Sequence, residues 1–327
     1  MSSTLVNVPA VALALGLAAC SSSSGGSNAL PHALGGQPDG DAGAGGAGAD
    51  GGGSAVPAPI KAPPFGQWTR LISQRWKLDP GSEGYWCTRV TVAEDIWVNG
   101  FRALAPLGTH HATLGKDAGG PDGTFRCGGF STGSELLFGS GVGTDPMQLP
   151  DGLAVKIAAG EQLLLNLHVN NVGQDVLTGT SAVEVLTMAP GGVVHEVGFV
   201  LAGLSGGLTV VPGQSTQTGR CTPGQDVTLL TVGPHMHTRG VHQLVTTAQG
   251  TEPPVVLFDG AYSFSSQSAH WLPQPVVVSP GGHIDVICTY QNDSPSTLVF
   301  GEHTSDEMCY AGLYHYPRFQ SGSTCVR

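Results

Sequence analysis

The chain has 327 residues, enough for about two domains of ordinary size. Only 11% of its residues are charged, and its 13 lysines and arginines are outnumbered by 24 aspartates and glutamates, which argues against a nucleic-acid-binding protein, a coiled coil or a helical bundle. Its 12 histidines outnumber its four lysines threefold, and this excess raises the question of a metal site.

The first twenty residues are typical of a bacterial lipoprotein signal. An apolar stretch over residues 8–19 is too short to span a bilayer and has the length of a signal-peptide core. It ends in Leu-Ala-Ala-Cys20, which resembles a lipobox whose cysteine becomes lipidated. We therefore predict a lipid-anchored envelope protein, facing the periplasm or the cell surface, or a secreted protein if Cys20 is not lipidated. Membrane contact is expected only through this anchor.

Residues 21–64 are predicted to be a disordered linker. Residues 21–60 include twelve glycines, eight alanines and six serines, and such a segment has too little apolar surface to offset the entropy of ordering it. Aromatic residues first appear at Phe65 and Trp68. The folded part is predicted to form an N-terminal domain over residues 65–192 and a C-terminal domain over residues 193–327.

The folded part is predicted to be all-β. Short apolar segments alternate with Pro-Gly and Gly-Gly pairs, which are strong turn signals. This pattern is typical of β-sandwiches or barrels. The predicted strands are Val90–Val98, Gln162–Val169, Val183–Met188, Val193–Val200, Val227–Val232, Val255–Phe258, Val276–Val278, Ile284–Tyr290 and Thr297–Phe300.

Six cysteines remain if Cys20 is lipidated, and an even number in an exported chain predicts disulfides. Two of them, Cys87 and Cys127, lie in the first predicted domain and are expected to pair. The other four allow two bridges in more than one arrangement. These four are Cys221, Cys288, Cys309 and Cys325.

Three histidines of the first predicted domain are candidate metal ligands. His110 and His111 are adjacent, so regular strand geometry would point them to opposite faces, and both can bind one ion only if the backbone there is irregular. His168 follows a strand pattern in which the apolar residues occupy the other face. On its own it is interpreted as an exposed strand histidine.

The second predicted domain contains His235 and His237, two residues apart. On a strand they project from the same face, a spacing that suits one metal ion, and Met236 between them is predicted to be a packing residue. Met308 lies beside Cys309. A buried methionine is usually core filler, but its thioether is also a soft ligand that favours Cu(I).

Taken in order, these motifs resemble the copper type II, ascorbate-dependent monooxygenases, the family of peptidylglycine α-hydroxylating monooxygenase and dopamine β-monooxygenase. The resemblance covers about residues 66–327. Its motifs are Tyr85-x-Cys87, His110-His111, Cys127, His168, Cys221, His235-x-His237, Cys288, Asp306-Glu-Met308-Cys309 and the Tyr-x-Tyr-Pro ending at Pro317. It implies two tandem jelly-roll β-sandwich domains with one copper each, two per chain.

The resemblance also implies roles for single residues. An electron-transfer copper would be bound by His110, His111 and His168, with Tyr85 nearby. The copper at which O2 and substrate react would be bound by His235, His237 and Met308. The implied disulfides are Cys87–Cys127, Cys221–Cys325 and Cys288–Cys309. The implied reaction is hydroxylation of a C–H bond of a small organic substrate by O2 and an external one-electron reductant such as ascorbate.

The sequence departs from the peptide-hydroxylating branch of that family at two positions. Gly233 stands where that branch has an arginine that holds the substrate carboxylate, and Gly312 stands where it has a tyrosine. A peptide ending in glycine is therefore not expected to be the substrate.

Two other functions fit parts of the pattern. A copper-binding or copper-delivery lipoprotein without turnover would use the same ligands. A zinc hydrolase built on His235 and His237 leaves Met308 unexplained. The other histidines, His315 among them, are predicted to lie at the surface or in satisfied positions.

Overall fold

Strands and turns alternate throughout the folded part of the chain, as the turn signals predict. The computed structural model describes residues 56–117, 119–127, 135–141, 143–204, 206–319 and 324–326. Their regular structure is β apart from one 3-10 turn at Pro190–Gly192, which confirms the all-β prediction. Among these residues no helix is long and apolar enough to cross a bilayer. Cys20 and most of the predicted linker lie outside the described residues.

The first half of the folded chain forms two sheets. Its strands are β1 Trp68–Leu78, β2 Glu83–Thr91, β3 Ile96–Leu104, β4 Thr109–Lys116, β5 Gly123–Arg126, β6 Glu135–Ser140, β7 Met147–Gln148, β8 Leu153–Ile157, β9 Gln162–Asn170, β10 Leu177–Thr187 and β11 His195–Glu196. One sheet has the order β1-β10-β3-β8-β11 with β7 beside β3, and the other has the order β5-β2-β9-β4-β6. Strand β9 is therefore the central strand of its sheet.

The second half forms two larger sheets and one two-stranded sheet. Its strands are β12 Gly198–Leu204, β13 Thr209–Val210, β14 Gly213–Cys221, β15 Val227–His235, β16 Gly240–Gln249, β17 Val255–Ala261, β18 His270–Val278, β19 Gly282–Asn292, β20 Leu298–Val299, β21 Cys309–Tyr316 and β22 Thr324–Val326. The orders are β18-β15-β21-β12-β22, β14-β19-β16-β17 and β13-β20. These strand orders do not by themselves establish a jelly-roll topology, which stays a prediction.

The apolar faces of the sheets build two cores. The core of the first half centres on alternate residues of β9 such as Leu165 and Leu167, and that of the second half includes Val232 and Val286. Leu230 and Tyr314 belong to the first core although they come from β15 and β21. The two halves therefore pack directly on each other within one compact unit. The predicted division at residues 192 and 193 stays a prediction.

Two predicted strands are wrong. Val193–Val200 is divided between β11, which ends at Glu196, and β12, which begins at Gly198, and these two strands belong to different sheets. Val90–Val98 is split, because β2 ends at Thr91 and β3 begins at Ile96. The exposed carboxylates between them serve as turn acceptors: Glu94 accepts the Ala62 backbone N–H at 3.3 Å, and Asp95 accepts that of Ala159 at 2.8 Å. Apolar residues on both sides of the acidic pair made the turn look like a continuous strand.

Three disulfides tie strands together, and they have the pairing that the resemblance implies. They join Cys87 to Cys127, Cys221 to Cys325 and Cys288 to Cys309. Each bridge lies within one half of the folded chain.

Candidate metal centre

A β-bulge brings the adjacent histidines of β4 to the same side. The register of β4 against β9 pairs Thr109 with Val169 and His111 with His168, so His110 is an extra residue without a partner in the register. An extra residue of this kind changes the direction in which the neighbouring side chains point. The irregular backbone that two adjacent ligands require is therefore present at this position.

Three imidazoles converge at this bulge. The candidate ligand atoms of His110, His111 and His168 all lie within 4.8 Å of one another. His110 Nδ1 is 3.2 Å from His168 Nδ1 and 3.5 Å from His111 Nδ1. Two nitrogens bound to one ion at about 2 Å lie roughly 3.3 Å apart at a tetrahedral angle, so these spacings fit a single metal ion.

His168 is held in place by two neighbours. Its Nε2 lies 3.2 Å from the Glu83 carboxylate, so Nε2–H donates to that group and Nδ1 is left with its lone pair towards His110. The Tyr85 ring stacks on the imidazole with 4.3 Å between centroids. The interpretation of His168 as an exposed strand histidine is wrong: it is 2% exposed, because both faces of the central strand β9 are covered.

Burial keeps these three imidazoles neutral. It lowers the pKa of His110 to about 4 and that of His111 well below its usual value, and in both cases the neighbouring His168 adds to the effect. The pKa of His168 is also lowered by burial, against the opposing effect of Glu83. A metal ion binds only the neutral form of histidine, so the cluster is ready to coordinate at neutral pH.

A second pair of imidazoles forms where β15 ends. The His235 and His237 rings lie 5.6 Å apart at right angles. His235 Nδ1 is 2.9 Å from Gln267 Oε1, and His237 Nδ1 is 3.1 Å from the Asp306 carbonyl oxygen. Both acceptors require a proton on Nδ1, which leaves the lone pairs of both Nε2 atoms for a metal ion. Burial lowers the pKa of both histidines, that of His237 to about 4.

Glu307 fastens this pair to the segment that carries Met308. Its carboxylate is fully buried and accepts the backbone N–H groups of His237 at 2.9 Å and Arg239 at 2.7 Å. Burial raises the pKa of Glu307 to about 7, against the opposing effect of those hydrogen bonds. Glu307 therefore fixes the position of His237 relative to Met308, the residue that follows Glu307 in the chain.

Met308 is buried immediately before β21. Its carbonyl oxygen accepts a hydrogen bond from the Tyr290 hydroxyl at 2.8 Å, and the next residue, Cys309, is bridged to Cys288 in β19. Met308, His235 and His237 line the same cavity. Met236 is also buried but belongs to the second core, in agreement with its predicted packing role.

Both groups of histidines line this one cavity, which has a volume of about 160 Å³. The Phe264 ring lies 5.0 Å from the His110 ring and 6.0 Å from the His237 ring, so one aromatic side chain neighbours both groups. The donor set of the first group, three neutral imidazoles, suits copper in either oxidation state, and that of the second adds a soft thioether.

Sequence reasoning missed four residues of this site: Glu83, Phe264, Gln267 and Glu307. Glu307 stands beside Met308, so its proximity could be read from the chain, but its burial could not. Phe264 and Gln267 come from the segment between β17 and β18, and no motif marks them. Their contacts with His235 and His237 depend on how this segment folds within the second half, and the contact of Phe264 with His110 depends on how the two halves pack.

The comparisons with known proteins agree with this chemistry. Residues 196–327 match the sequence model of the copper type II ascorbate-dependent monooxygenase C-terminal domain. The DBH-like monooxygenase protein 2 of Mus musculus is 27% identical over 243 residues, which cover 65% of this chain and 39% of that protein. The putative DBH-like monooxygenase protein 2 of Homo sapiens is 27% identical over 218 residues, covering 60% and 43%. These matches support the monooxygenase family and a monooxygenase-like function.

The chain thus spans about two fifths of the length of these two relatives. Among solved structures, one titled as infectious bursal disease virus Gt strain covers 81% of each chain at 10% identity, with a TM-score of 0.17. A score that low does not indicate a shared fold.

Proposed function

We propose that this protein is a copper-dependent monooxygenase that hydroxylates a C–H bond of a small organic substrate. The observation that carries the proposal is the meeting of two metal-binding groups at one cavity: His110, His111 and His168 on one side, and His235, His237 and Met308 on the other. Support comes from the family model that matches residues 196–327.

The reaction needs two electrons from outside the protein. In balanced form, R–H, O2, two electrons and two protons give R–OH and water, with the electrons supplied by an ascorbate-like one-electron reductant. Copper, when bound, would supply electron transfer at the His110, His111 and His168 group, and oxygen activation beside the substrate at the His235, His237 and Met308 group.

The side chains have separable tasks in this proposal. Glu83 and Tyr85 orient His168, while Gln267 and the Asp306 carbonyl orient His235 and His237, so that a nitrogen lone pair of each ring is available to metal. The Met308 thioether favours the reduced ion, the form that reacts with O2. The apolar cavity wall excludes water from the reacting centre.

The first experiment is copper analysis of the purified full chain, followed by oxygen uptake with ascorbate and candidate substrates. We expect about two coppers per chain and substrate-dependent uptake. His168→Ala and His235→Ala should each remove about one copper and abolish uptake, whereas His242→Ala, at a partly exposed histidine outside the cavity, should do neither.

Two outcomes would contradict the proposal. Fewer than two coppers per chain would exclude the two-copper arrangement. Full copper binding without reductant-dependent oxygen uptake on any substrate would favour the alternative of a non-catalytic copper-binding or copper-delivery protein.

A further inference from the structure

The wall of the shared cavity is predominantly apolar beyond the candidate metal ligands. Its apolar side chains include Leu136, Phe138, Met147, Phe199, Leu201 and Phe264. Among the described residues that line it there is no lysine or arginine, and the two charged ones, Asp145 and Glu302, are exposed. An anionic group would therefore find no cation here and would approach two negative charges.

The volume of the cavity suits a small occupant, and the exposed part of its wall leaves it open to solvent. A volume of about 160 Å³ is close to that of an engineered apolar protein cavity that binds benzene. A charged group taken out of water into such a space, without a partner inside it, loses several kcal/mol of hydration free energy. This cost applies to an ammonium group placed among the apolar side chains as well as to a carboxylate, because Asp145 and Glu302 lie on the exposed part of the wall.

One part of the cavity wall is formed by the aromatic ring of Phe199. A Cβ added at Gly312 would lie 2.6 Å from Phe199 Cζ, so the Phe199 ring occupies the space above this glycine. Gly233, which pairs with Gly312 across the sheet, is different: an added Cβ there would meet its nearest atoms at 3.5 Å or more. A larger side chain at position 233 therefore fits locally and takes volume from the cavity.

We infer that this cavity binds an uncharged, predominantly apolar molecule of about the size of benzene, as the substrate of the proposed hydroxylation. Calling the molecule a substrate rests on the proposed function, but its binding does not. The apolar wall, the small volume and the absence of a cation among the described lining residues all select for the same chemical class.

The test compares three probes that share one ring: toluene, benzoate and benzylamine. Binding to the full chain is measured by calorimetry, first with copper and then after chelation. We expect toluene to bind in both states, and benzoate and benzylamine to bind at least tenfold more weakly. Equal or tighter binding of either charged probe, or no binding of toluene, would overturn the inference.

Two glycine variants locate the bound probe. Gly233→Leu should weaken toluene binding at least tenfold, because leucine fills part of the cavity. Gly224→Leu is the matched control, since Gly224 lies outside the cavity and has no atom within 4 Å of an added Cβ, and it should leave binding unchanged. Unchanged binding in Gly233→Leu would show that toluene sits elsewhere.

The two proposals fail in different ways. Toluene binding without copper-dependent oxygen uptake would leave the cavity assignment intact and contradict the monooxygenase function. Copper-dependent oxygen uptake that occurs only with charged substrates would contradict the substrate class and leave the monooxygenase function intact.

Discussion

Which nitrogen of His235 can reach a metal depends on a single amide side chain. Gln267 Oε1 accepts the hydrogen bond of His235 Nδ1, and the same amide donates from Nε2 to the Phe264 carbonyl at 3.0 Å. The second bond fixes the orientation of the amide, so its oxygen is the atom presented to the histidine. Partners of this kind hold a ligand ring in one tautomer and one orientation.

Replacing Gln267 should therefore weaken the metal site without touching a ligand. For Gln267→Ala we expect copper affinity at the His235 group to fall about 10- to 100-fold, the usual cost of removing such a partner. Affinity at the His168 group should stay unchanged, as resolved by titration of the two sites. Gln267→Glu, which keeps an acceptor, should recover most of the affinity, and the exposed Gln291→Ala is the control.

His315 differs from its predicted surface or satisfied position. It is 1% exposed in β21; its Nδ1–H donates to the Pro317 carbonyl oxygen at 3.0 Å, and Nε2 has no hydrogen-bond partner among the described residues. Burial lowers its pKa to about 4, although the Pro317 bond and the charge of Glu135 act in the opposite direction. A proton on Nε2 would have to be buried without an acceptor.

This histidine makes the folded state sensitive to acid. The unfolded chain binds a proton at a pKa near 6.5 and the folded chain only near 4, so between these values the unfolded state holds more protons and stability falls as pH falls. The loss amounts to about 2 kcal/mol at pH 5. Between pH 7.5 and 5, the free energy of unfolding measured in urea should therefore fall by about 2 kcal/mol less in His315→Gln than in the wild type. Equal pH dependence in both proteins would refute the assignment.

The positions of the candidate ligands could be predicted from sequence, and their environment could not. His110, His111, His235, His237 and Met308 carry distinctive chemistry at distinctive spacings, and the structure places all of them at one cavity. The burial of His168 was missed because alternation describes a single strand. It does not show that a central strand has neighbours on both sides and cover on both faces.

Two strand irregularities explain much of the geometry. The bulge at His110 follows from chemistry that the sequence shows, since two adjacent ligands need an irregular backbone. A second register shift, between Leu114 and Gly115, leaves Leu137 of β6 without a partner in β4. No residue type in the sequence predicts this second bulge, because Leu137 is a buried leucine like many others in the sheets.

Removing the disulfide between β19 and β21 should weaken copper binding at the Met308 group. It should lower the free energy of unfolding less than removing the Cys221–Cys325 bridge does. The Cys288–Cys309 bridge closes a short loop of 21 residues next to Met308. The Cys221–Cys325 bridge closes a loop of 104 residues, and neither of its cysteines is among the described residues that line the cavity. Loop entropy predicts losses of about 3 and about 5 kcal/mol when the two bridges are removed.

The paired variants C288S/C309S and C221S/C325S separate the two effects. We expect the first pair to lose copper at the Met308 group while remaining the more stable of the two, and the second pair to retain that copper at temperatures where it is folded. Copper analysis and urea unfolding measure both quantities. The reverse order of copper loss would show that the bridge does not position Met308.

The two halves of the molecule are joined by buried contacts. The Tyr314 hydroxyl of β21 donates to the Leu137 carbonyl oxygen at 2.9 Å, which is the group that the bulge in β6 leaves available. At the edge of the same interface, Arg318 forms an ion pair with Glu135, with Nε 2.7 Å from Oε1. Because Tyr314 also belongs to the core of the first half, that core is incomplete without the second half.

Both halves should therefore unfold together. Four of the five tryptophans (Trp68, Trp76, Trp86 and Trp97) lie in the first half, so their fluorescence reports mainly on it, whereas far-UV circular dichroism reports on all strands. We expect the two signals to give one coincident transition in urea. Separate transitions in the wild type would show that the contacts between the halves do not couple their stability.

Tyr314→Phe tests the coupling with the smallest possible change. It keeps the ring and removes one hydrogen bond, leaving the buried Leu137 carbonyl without its partner, at a cost of about 1–3 kcal/mol. Since the lost bond joins the halves, fluorescence and circular dichroism should shift by the same amount. Tyr316→Phe, at a half-buried tyrosine two residues along the same strand, is the matched control, and a change below about 0.5 kcal/mol is expected there. A shift confined to one signal in Tyr314→Phe would mean that this hydroxyl stabilises only one half, and that the union of the metal-binding groups at one cavity depends on other contacts.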